Sequence, residues 1–253
     1  QARRVNWSYR FSELFYEAEA AFFTAQPEQY LDLDTTSSLD DVPQVDEPNV
    51  EDVYAQPLGA RDVVKIFLKV APHWLFSMLG ALAFRRACSD PYKTLRKGYV
   101  EDIELVFDPD APDVLRLIFP FPLGVKRQGK YLRRLRREAR PFALCGVPYS
   151  PADLLVIVRK RNMGAVQRME TRAQLRLARK LGQFQARIME ISDEFDIGCL
   201  DFCRGLHRVG FKVVNSAHGV GKYLPVHAFD HFSVLTRQQE IYYTALRPCK
   251  YDL

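Results

Sequence analysis

Apolar runs and helical patterns alternate from about residue 100 to the end of the chain. Short apolar runs bounded by turn residues predict β-strands, whereas apolar positions that recur every three or four residues predict helices. The predicted strands are residues 114–119, 142–145, 188–191, 211–215 and 231–235, with residues 103–107 as a further candidate. Alternation of strands with helices is typical of an α/β protein with a parallel sheet.

Helical patterns fill the segments between these strands. The predicted helices are residues 128–137, a helix that begins at Ser150, residues 166–185, residues 197–209 and residues 236–246. Ser150 before Pro151 is typical of a helix N-terminus, because serine caps the first turn and proline fits the first helical position. We therefore predict a Rossmann-like parallel sheet flanked by helices over residues 96–253.

Residues 188–235 give the most specific prediction of a site. Two strands joined by a single helix form a βαβ unit, in which the strands are parallel and the crossover is right-handed. The segments that follow the two strands, residues 192–196 and 215–223, would then leave the sheet at the same edge. Parallel α/β sheets bind ligands outside the carboxyl ends of their strands. We therefore expect a groove at this edge.

The catalytic candidates in these segments are His218, Glu194 and Asp193. His218 lies between an apolar strand and Gly219, in a turn from which its imidazole could transfer a proton near neutral pH. Glu194 or Asp193 could orient that imidazole or act as the base. The alternative is structural: His218 would satisfy a carbonyl in a turn, and the acids, Asp196 above all, would cap the following helix.

The second segment also holds the candidates for binding substrate or phosphate, namely Gly219, Gly221, Lys222 and Tyr223. The glycines let the backbone approach an anion with its N–H groups, and Lys222 adds a positive charge. The segment is not a Walker A loop, because that motif needs glycine in place of Ser216 and serine or threonine in place of Tyr223. Nucleotide hydrolysis by a P-loop is therefore excluded.

Charge is distributed unevenly, although the net charge is only +5. Residues 125–140 hold eight Lys or Arg and one acidic residue, which suggests nucleic-acid binding. The spacing of the apolar residues favours instead an amphipathic helix with its arginines in solvent, and no aromatic residues interleave with residues 132–140 to stack on bases. Lys126 and Arg127 begin this helix after a strand, where a phosphate or sugar acid could bind; ordinary surface charge is the alternative.

Residues 1–95 are predicted to be an N-terminal appendage. Residues 11–60 hold twelve Asp or Glu and no Lys or Arg, and residues 26–60 have the composition of a linker or of a strap over the surface. Residues 63–84 are the most apolar window, but two lysines, a proline and a histidine interrupt it and two arginines follow it. These interruptions favour a core or interfacial helix over one that spans a bilayer.

The five cysteines are an odd number without the spacing of a small disulfide scaffold, which indicates reduced thiols in the cytoplasm. Cys199, Cys203 and His207 would share one face of a helix, and His227 and His231 stand four residues apart. We interpret the two cysteines as small buried apolar groups, and a strand beginning at His231 breaks the second spacing. No metal site and no cofactor are therefore predicted.

Several segments of residues 95–246 resemble the amino-terminal domain of GT-B glycosyltransferases that build bacterial surface polymers. The resemblance rests on Ser-Asp-Glu-Phe-Asp at residues 192–196, on the strand and His-Gly turn of residues 210–221, on Pro225, on residues 229–235 and on residues 238–243. Capsule and lipopolysaccharide transferases and the teichoic-acid glycerophosphotransferases have a similar His-Gly turn after a strand, followed by a proline and another strand. The His-Gly turn is the most specific part.

The resemblance implies one half of a GT-B fold, in which two Rossmann-like domains face each other across a cleft and the first binds the acceptor. It implies transfer of a sugar from a nucleotide-activated donor, without a catalytic metal, to a carbohydrate or lipid-linked carbohydrate acceptor. His218 would be the general base, and Arg127 and the backbone of residues 219–222 would lie near the donor phosphate or an acidic acceptor. No second Rossmann-like domain follows Leu253, so we expect the chain to be a piece of a longer protein.

We expect a cytoplasmic protein, in peripheral contact with the inner face of the membrane, that binds no nucleic acid. The alternative function is a non-catalytic α/β module that holds a protein partner or a membrane surface through residues 11–60 and 63–84. Replacing His218 by alanine would leave the activity of such a module intact.

Overall fold

A computed structural model of the chain describes residues 55, 57–98, 107–108, 111, 113–121, 124–192, 198–217, 228–235, 239–240, 243–244 and 249–252. Within these residues the helices are α1 (Ala60–Ser89), α2 (Val125–Arg137), α3 (Pro151–Lys160), α4 (Met163–Leu181) and α5 (Cys199–Arg208). The strands are β1 (Thr94–Gly98), β2 (Val114–Ile118), β3 (Phe142–Leu144), β4 (Ile188–Ile191), β5 (Lys212–Ser216), β6 (His231–Ser233) and β7 (Lys250–Asp252).

The seven strands form one parallel sheet in the order β3-β2-β1-β4-β5-β6-β7. From β1 the chain builds outward to β3, then crosses back and builds outward on the other side from β4 to β7. The strand order therefore reverses between β1 and β4, which defines the topological switch point of a doubly wound sheet. The predicted α/β class with a Rossmann-like parallel sheet is confirmed.

Five of the predicted strands occur in the structure, with ends that differ by at most two residues. Local apolar runs flanked by turn residues are sufficient to identify them. The same pattern does not predict β1 or β7, because β1 consists of Thr-Leu-Arg-Lys-Gly and β7 of Lys-Tyr-Asp. The candidate strand at residues 103–107 and the predicted helix at residues 236–246 lie mostly outside the described residues.

Capping residues set the ends of the helices. Ser150 accepts a hydrogen bond through its side chain from the N–H of Ala152 at 3.2 Å and stands before Pro151, as predicted for the start of α3. α5 begins at Cys199, two residues later than predicted, because Gly198 precedes it with a φ of 80°. Residues other than glycine rarely adopt that left-handed conformation.

The two faces of the sheet are covered by different helices. Leu95 and Met189 belong to a large apolar core that also contains side chains of α1, α3, α4 and α5. On the opposite face Ile118 packs with Tyr131 and Leu135 of α2. The helices that follow β2 and β4 therefore lie on opposite faces, as a doubly wound sheet requires.

α1 packs against β3 and the loop that follows it. Gly80 of α1 lies against the carbonyl of Leu144, and Gly146 lies against the carbonyl of His73, so a β-carbon at either glycine would overlap backbone atoms. α1 therefore contributes to the same core as the sheet. Residues 1–54, which include most of the predicted strap, lie outside the described residues, and the predicted domain boundary between residues 95 and 96 stays a prediction.

Candidate active site at the carboxyl edge of the sheet

The carboxyl ends of β4 and β5 lie side by side. The two strands pair in parallel, with Ile191 opposite Asn215. Just beyond that pair, the side-chain hydroxyl of Ser192 donates a hydrogen bond to the main-chain oxygen of Ser216 at 2.9 Å. Both serines are buried. The chain therefore leaves β4 and β5 at the same edge of the sheet and from neighbouring positions.

Most of the predicted site residues lie outside the described residues. They are Asp193, Glu194, His218, Gly219, Gly221, Lys222 and Tyr223. The residues that precede them in the chain are described. Ser192 comes directly before residues 193–196, and Ala217 comes directly before His218. The N–H of Ala217 donates to the carbonyl of Ser233 at 2.9 Å. The starting points of both segments are thus defined, whereas the roles of these side chains stay predictions.

β4, the strand that precedes residues 193–196 in the chain, lies at the topological switch point. β4 lies between β1 and β5. After β1 the chain continues to β2, on one side of the boundary between β1 and β4. After β4 it continues to β5, on the other side of that boundary. Such diverging connections leave a crevice above the carboxyl ends of the two strands, where doubly wound folds bind ligands. Ser192, the described residue that precedes residues 193–196 in the chain, directly follows β4 at this point.

Lys97 is a positive group near this edge that the sequence patterns do not identify as a site residue. It precedes Gly98, the last residue of β1, and it is buried. Its Nζ lies 5.6 Å from the ring centroids of both Phe119 and Phe202, within the range of cation–π attraction. A lysine that follows an arginine in the sequence is typical of an exposed segment. The burial of this lysine depends on aromatic rings that are distant in the chain.

Gln128 fixes the connection between β2 and α2. Its Nε2 donates to the carbonyl of Phe119 at 2.5 Å, and its Oε1 accepts from the N–H of Phe121 at 3.2 Å. Lys126 and Arg127 are exposed in the first turn of α2, which holds no acidic residue. Their charges oppose the positive end of the helix dipole, and a bound anion would relieve this repulsion. Their position at the helix start is as predicted, and their anion-binding role stays a prediction.

The cysteine and histidine candidates for a metal site are separated in the structure. The sulfur atoms of Cys199 and Cys203 are 3.9 Å apart in the apolar core. His207 Nε2 instead lies 2.8 Å from Oδ2 of Asp230, beside the amino ends of β5 and β6. Among the described residues no group of three or more His, Cys, Asp or Glu side chains could hold a metal ion, and His227 lies outside them.

The start of α5 bears on the structural alternative for the acidic segment. Gly198 occupies the cap position, and its carbonyl accepts from the N–H of Phe202 at 2.8 Å. Asp196 stands two positions before that cap and lies outside the described residues. The capping role of Asp196 in the structural alternative stays a prediction.

The described part of the site is thus a sheet edge at a switch point, with two neighbouring strand exits, a buried lysine and an exposed pair of cations on α2. It defines where a ligand would meet the sheet, without defining the ligand. Comparisons with protein families, with curated proteins and with solved structures found no match to this chain.

Proposed function

We propose that the chain is the acceptor-side domain of a GT-B glycosyltransferase that acts in the synthesis of bacterial surface polysaccharide. The observation that carries this proposal is the hydrogen bond of 2.9 Å between the Ser192 hydroxyl and the Ser216 carbonyl, across the carboxyl ends of β4 and β5. It supports the proposal because the segment with the two acids and the segment with His218 begin on either side of it. An acid and a histidine that work together must come from one edge of the sheet.

His218 would act as the general base on a hydroxyl of the carbohydrate acceptor. The proton would move from that hydroxyl to the imidazole while the oxygen forms a bond to the anomeric carbon of the donor sugar. The bond from the same carbon to the nucleotide diphosphate would break, and the diphosphate would leave with the electron pair. Glu194 or Asp193 would orient the imidazole and stabilise its protonated form.

The leaving nucleotide diphosphate gains negative charge, which positive groups and main-chain N–H groups would stabilise. The groups proposed for this role are the segment of residues 219–223, Lys126 and Arg127 at the start of α2, and the buried Lys97 near the end of β1. Because these groups would supply the positive charge, we expect transfer without a bound metal ion. The nucleotide-activated donor is then a substrate, and no cofactor is needed.

A second Rossmann-like domain would supply most of the donor site in this proposal. It would face the carboxyl edge of the sheet, where the strand exits and the positive groups lie. The chain alone would then bind a nucleotide donor weakly and turn it over slowly. The assay below therefore uses the longest natural protein that contains this chain.

The test is a transfer assay with a panel of UDP-, GDP- and CDP-activated donors, in which the release of free nucleotide is measured. We expect His218→Ala to lower kcat by about 10²- to 10⁴-fold, the range for loss of a general base. His207→Ala is the matched control, because His207 pairs with Asp230 at the opposite edge of the sheet and should retain transfer. Circular dichroism would show that both variants fold.

Two outcomes would count against the proposal. Transfer that is unchanged in His218→Ala would remove His218 from the mechanism. No nucleotide release from any donor, by a folded protein supplied with mixed bacterial glycolipids as acceptors, would count against the transferase itself.

A non-catalytic binding module is the second candidate function, and one observation favours it. The outward face of α1 exposes large apolar side chains, among them Leu68 and Met78. A contiguous apolar surface of this kind is typical of sites that bind a macromolecule or a membrane. Such a module would keep its activity in His218→Ala, which distinguishes the two functions.

A further inference from the structure

α1 exposes a narrow apolar face along much of its length. This face, the apolar strip, consists of Val64, Leu68, Leu75, Met78, Leu79 and Leu82. Leu68, Met78 and Leu82 expose 67%, 69% and 63% of their surface. At 1.5 Å per residue the strip is about 27 Å long, and its spacing keeps it on one side of the helix. By length and composition alone α1 could cross a membrane.

The inner face of α1 is held in the fold by polar contacts. Lys69 Nζ donates to Oε1 of Glu170 at 2.9 Å, and Nδ1 of His73 accepts from the N–H of Val147 at 3.1 Å. Glu170 and His73 are buried. A helix that left the protein to cross a bilayer would lose these partners, and buried polar groups without partners are costly. α1 therefore stays packed on the protein, and its outer face is the part available to a membrane.

Positive charge surrounds the apolar strip. Arg61 and Lys65 stand at its amino-terminal end and Arg85 and Arg86 at its carboxyl-terminal end, and all four are exposed. Phe76 of α1 packs against the apolar cluster that contains Tyr131 and Leu135 of α2. α2 has seven Lys or Arg among its 13 residues and no Asp or Glu. The apolar strip therefore has basic residues at both ends, and the basic helix α2 meets α1 at Phe76.

We propose that the apolar strip and α2 together bind the surface of a lipid bilayer that contains anionic lipids, with α1 parallel to the membrane plane. The strip would enter the boundary between headgroups and acyl chains, as interfacial amphipathic helices do. The basic side chains of α2 beyond Lys126 and Arg127, and those at the two ends of α1, would lie against the anionic headgroups. Each such charge strengthens binding by about fivefold at low salt.

The charges favour a membrane over a second copy of this chain. A twofold dimer through the apolar strip would bring together the basic ends of two α1 helices, which carry Arg61 and Lys65 at one end and Arg85 and Arg86 at the other. Like charges at an interface oppose association. A planar anionic surface has no such repulsion and matches both parts of the protein surface. This inference does not rest on the proposed transferase function, because it requires only binding.

Vesicles provide the direct test. The chain has two tryptophans, and Trp7→Phe leaves Trp74, which is part-exposed and donates to the carbonyl of Tyr149, as a reporter next to the strip. We expect the full chain to sediment with vesicles of phosphatidylcholine mixed with phosphatidylglycerol and Trp74 emission to shift to the blue. Binding to phosphatidylcholine alone should be much weaker. Salt near 1 M should weaken binding, because it shortens the screening length to about 3 Å.

Two variants separate the apolar and the charged contributions. Leu68→Glu combined with Leu79→Glu should weaken vesicle binding about tenfold or more, because it places charge on the strip. Lys130→Gln combined with Arg133→Gln should weaken vesicle binding by roughly 25-fold, about fivefold for each charge. Both residues are exposed, so this variant should keep the fold. Leu235→Glu is the matched control, because Leu235 is 50% exposed near β6, far across the sheet from β3. It should bind like the unmodified chain.

Three results would overturn the proposal. The first is no binding to anionic vesicles, and the second is binding that neither double variant weakens. The third is a chain that does not bind vesicles but forms a concentration-dependent dimer in sedimentation velocity, which Leu68→Glu with Leu79→Glu abolishes. That result would assign the strip to a second copy of the chain. A protein that transfers sugar but does not bind vesicles would refute this inference and leave the proposed function intact. The failure of the inference is therefore distinguishable from the failure of the proposed function.

Discussion

Arg96 of β1 and Glu190 of β4 form an ion pair across the topological switch point, with 2.6 Å between Nε of Arg96 and Oε2 of Glu190. The Arg96 side chain is buried, and that of Glu190 is 19% exposed. Arg116 of β2 is the cross-strand neighbour of Arg96 on the other side and is also buried. β1 and β4 belong to the two halves of the sheet, so this ion pair joins the halves beneath the predicted ligand crevice.

Replacing Glu190 by glutamine should destabilise the fold. The substitution removes the carboxylate that a buried guanidinium contacts, and breaking one side of such a pair costs about 3 kcal/mol. Glu138→Gln is the control, because Glu138 pairs with Arg134 and Arg140 near the surface, where ion pairs contribute little. The measurement is the free energy of unfolding from urea denaturation. Equal losses in the two variants would show that the Arg96 contact does not stabilise the fold.

Two glycines inside helices should respond to alanine in opposite directions. A β-carbon at Gly80 of α1 would overlap the carbonyl of Leu144, so we expect Gly80→Ala to destabilise the protein by about 1 to 3 kcal/mol. A β-carbon at Gly129 of α2 meets nothing within 4 Å, so Gly129→Ala should stabilise by up to about 1 kcal/mol through helix propensity. Urea midpoints measure both effects. A stable Gly80→Ala would mean that α1 does not pack closely on β3.

The buried imidazole of His73 should make stability depend on pH. Burial lowers the pKa of His73 to about 3, with smaller contributions from the charges of Lys69 and Lys97, whereas the unfolded chain has the ordinary value of 6.5. Between these values the unfolded state binds one more proton than the folded state. The contribution of His73 is therefore complete above pH 6.5 and is lost as the pH falls toward 3, by about 1.4 kcal/mol per pH unit.

His73→Asn isolates this effect, because its amide oxygen can accept the hydrogen bond from Val147 N without titrating. We expect the free energy of unfolding of the unmodified chain to fall more steeply between about pH 7 and about pH 5 than that of the variant. Carboxyl groups contribute equally to both proteins. Identical slopes would contradict the burial of a neutral histidine.

The thiols should divide into protected and reactive groups. All five cysteines are free; Cys145, Cys199 and Cys203 are buried, and Cys88 and Cys249 are part-exposed. Burial raises the pKa of Cys145 to about 12, which leaves very little of the reactive thiolate near neutral pH. We expect a charged maleimide to label Cys88 and Cys249 in the folded protein and all five thiols after unfolding, as counted by mass spectrometry. Rapid labelling of folded Cys145 would contradict its place in the core.

The sequence predicts the candidate site only where residues that are close in the chain determine its position. The ends of β4 and β5 and the cations at the start of α2 follow from local patterns. Lys97 does not, because its burial depends on Phe119 and Phe202, which lie on other elements. The same holds for Gln128, whose contacts close the turn between β2 and α2.

The sequence by itself determined the α/β class, five strands and the capped start of α3, because each depends on residues that are close in the chain. Only the tertiary structure decided the strand order, the burial of β1 and the face of α1 that meets solvent. These features depend on partners far apart in the chain: Arg96 and Glu190 are 94 positions apart, and Lys69 and Glu170 are 101 apart. The sequence of an apolar helix does not show which of its faces is buried, and an arginine followed by a lysine does not indicate burial. Both are decided by elements that lie far away in the chain.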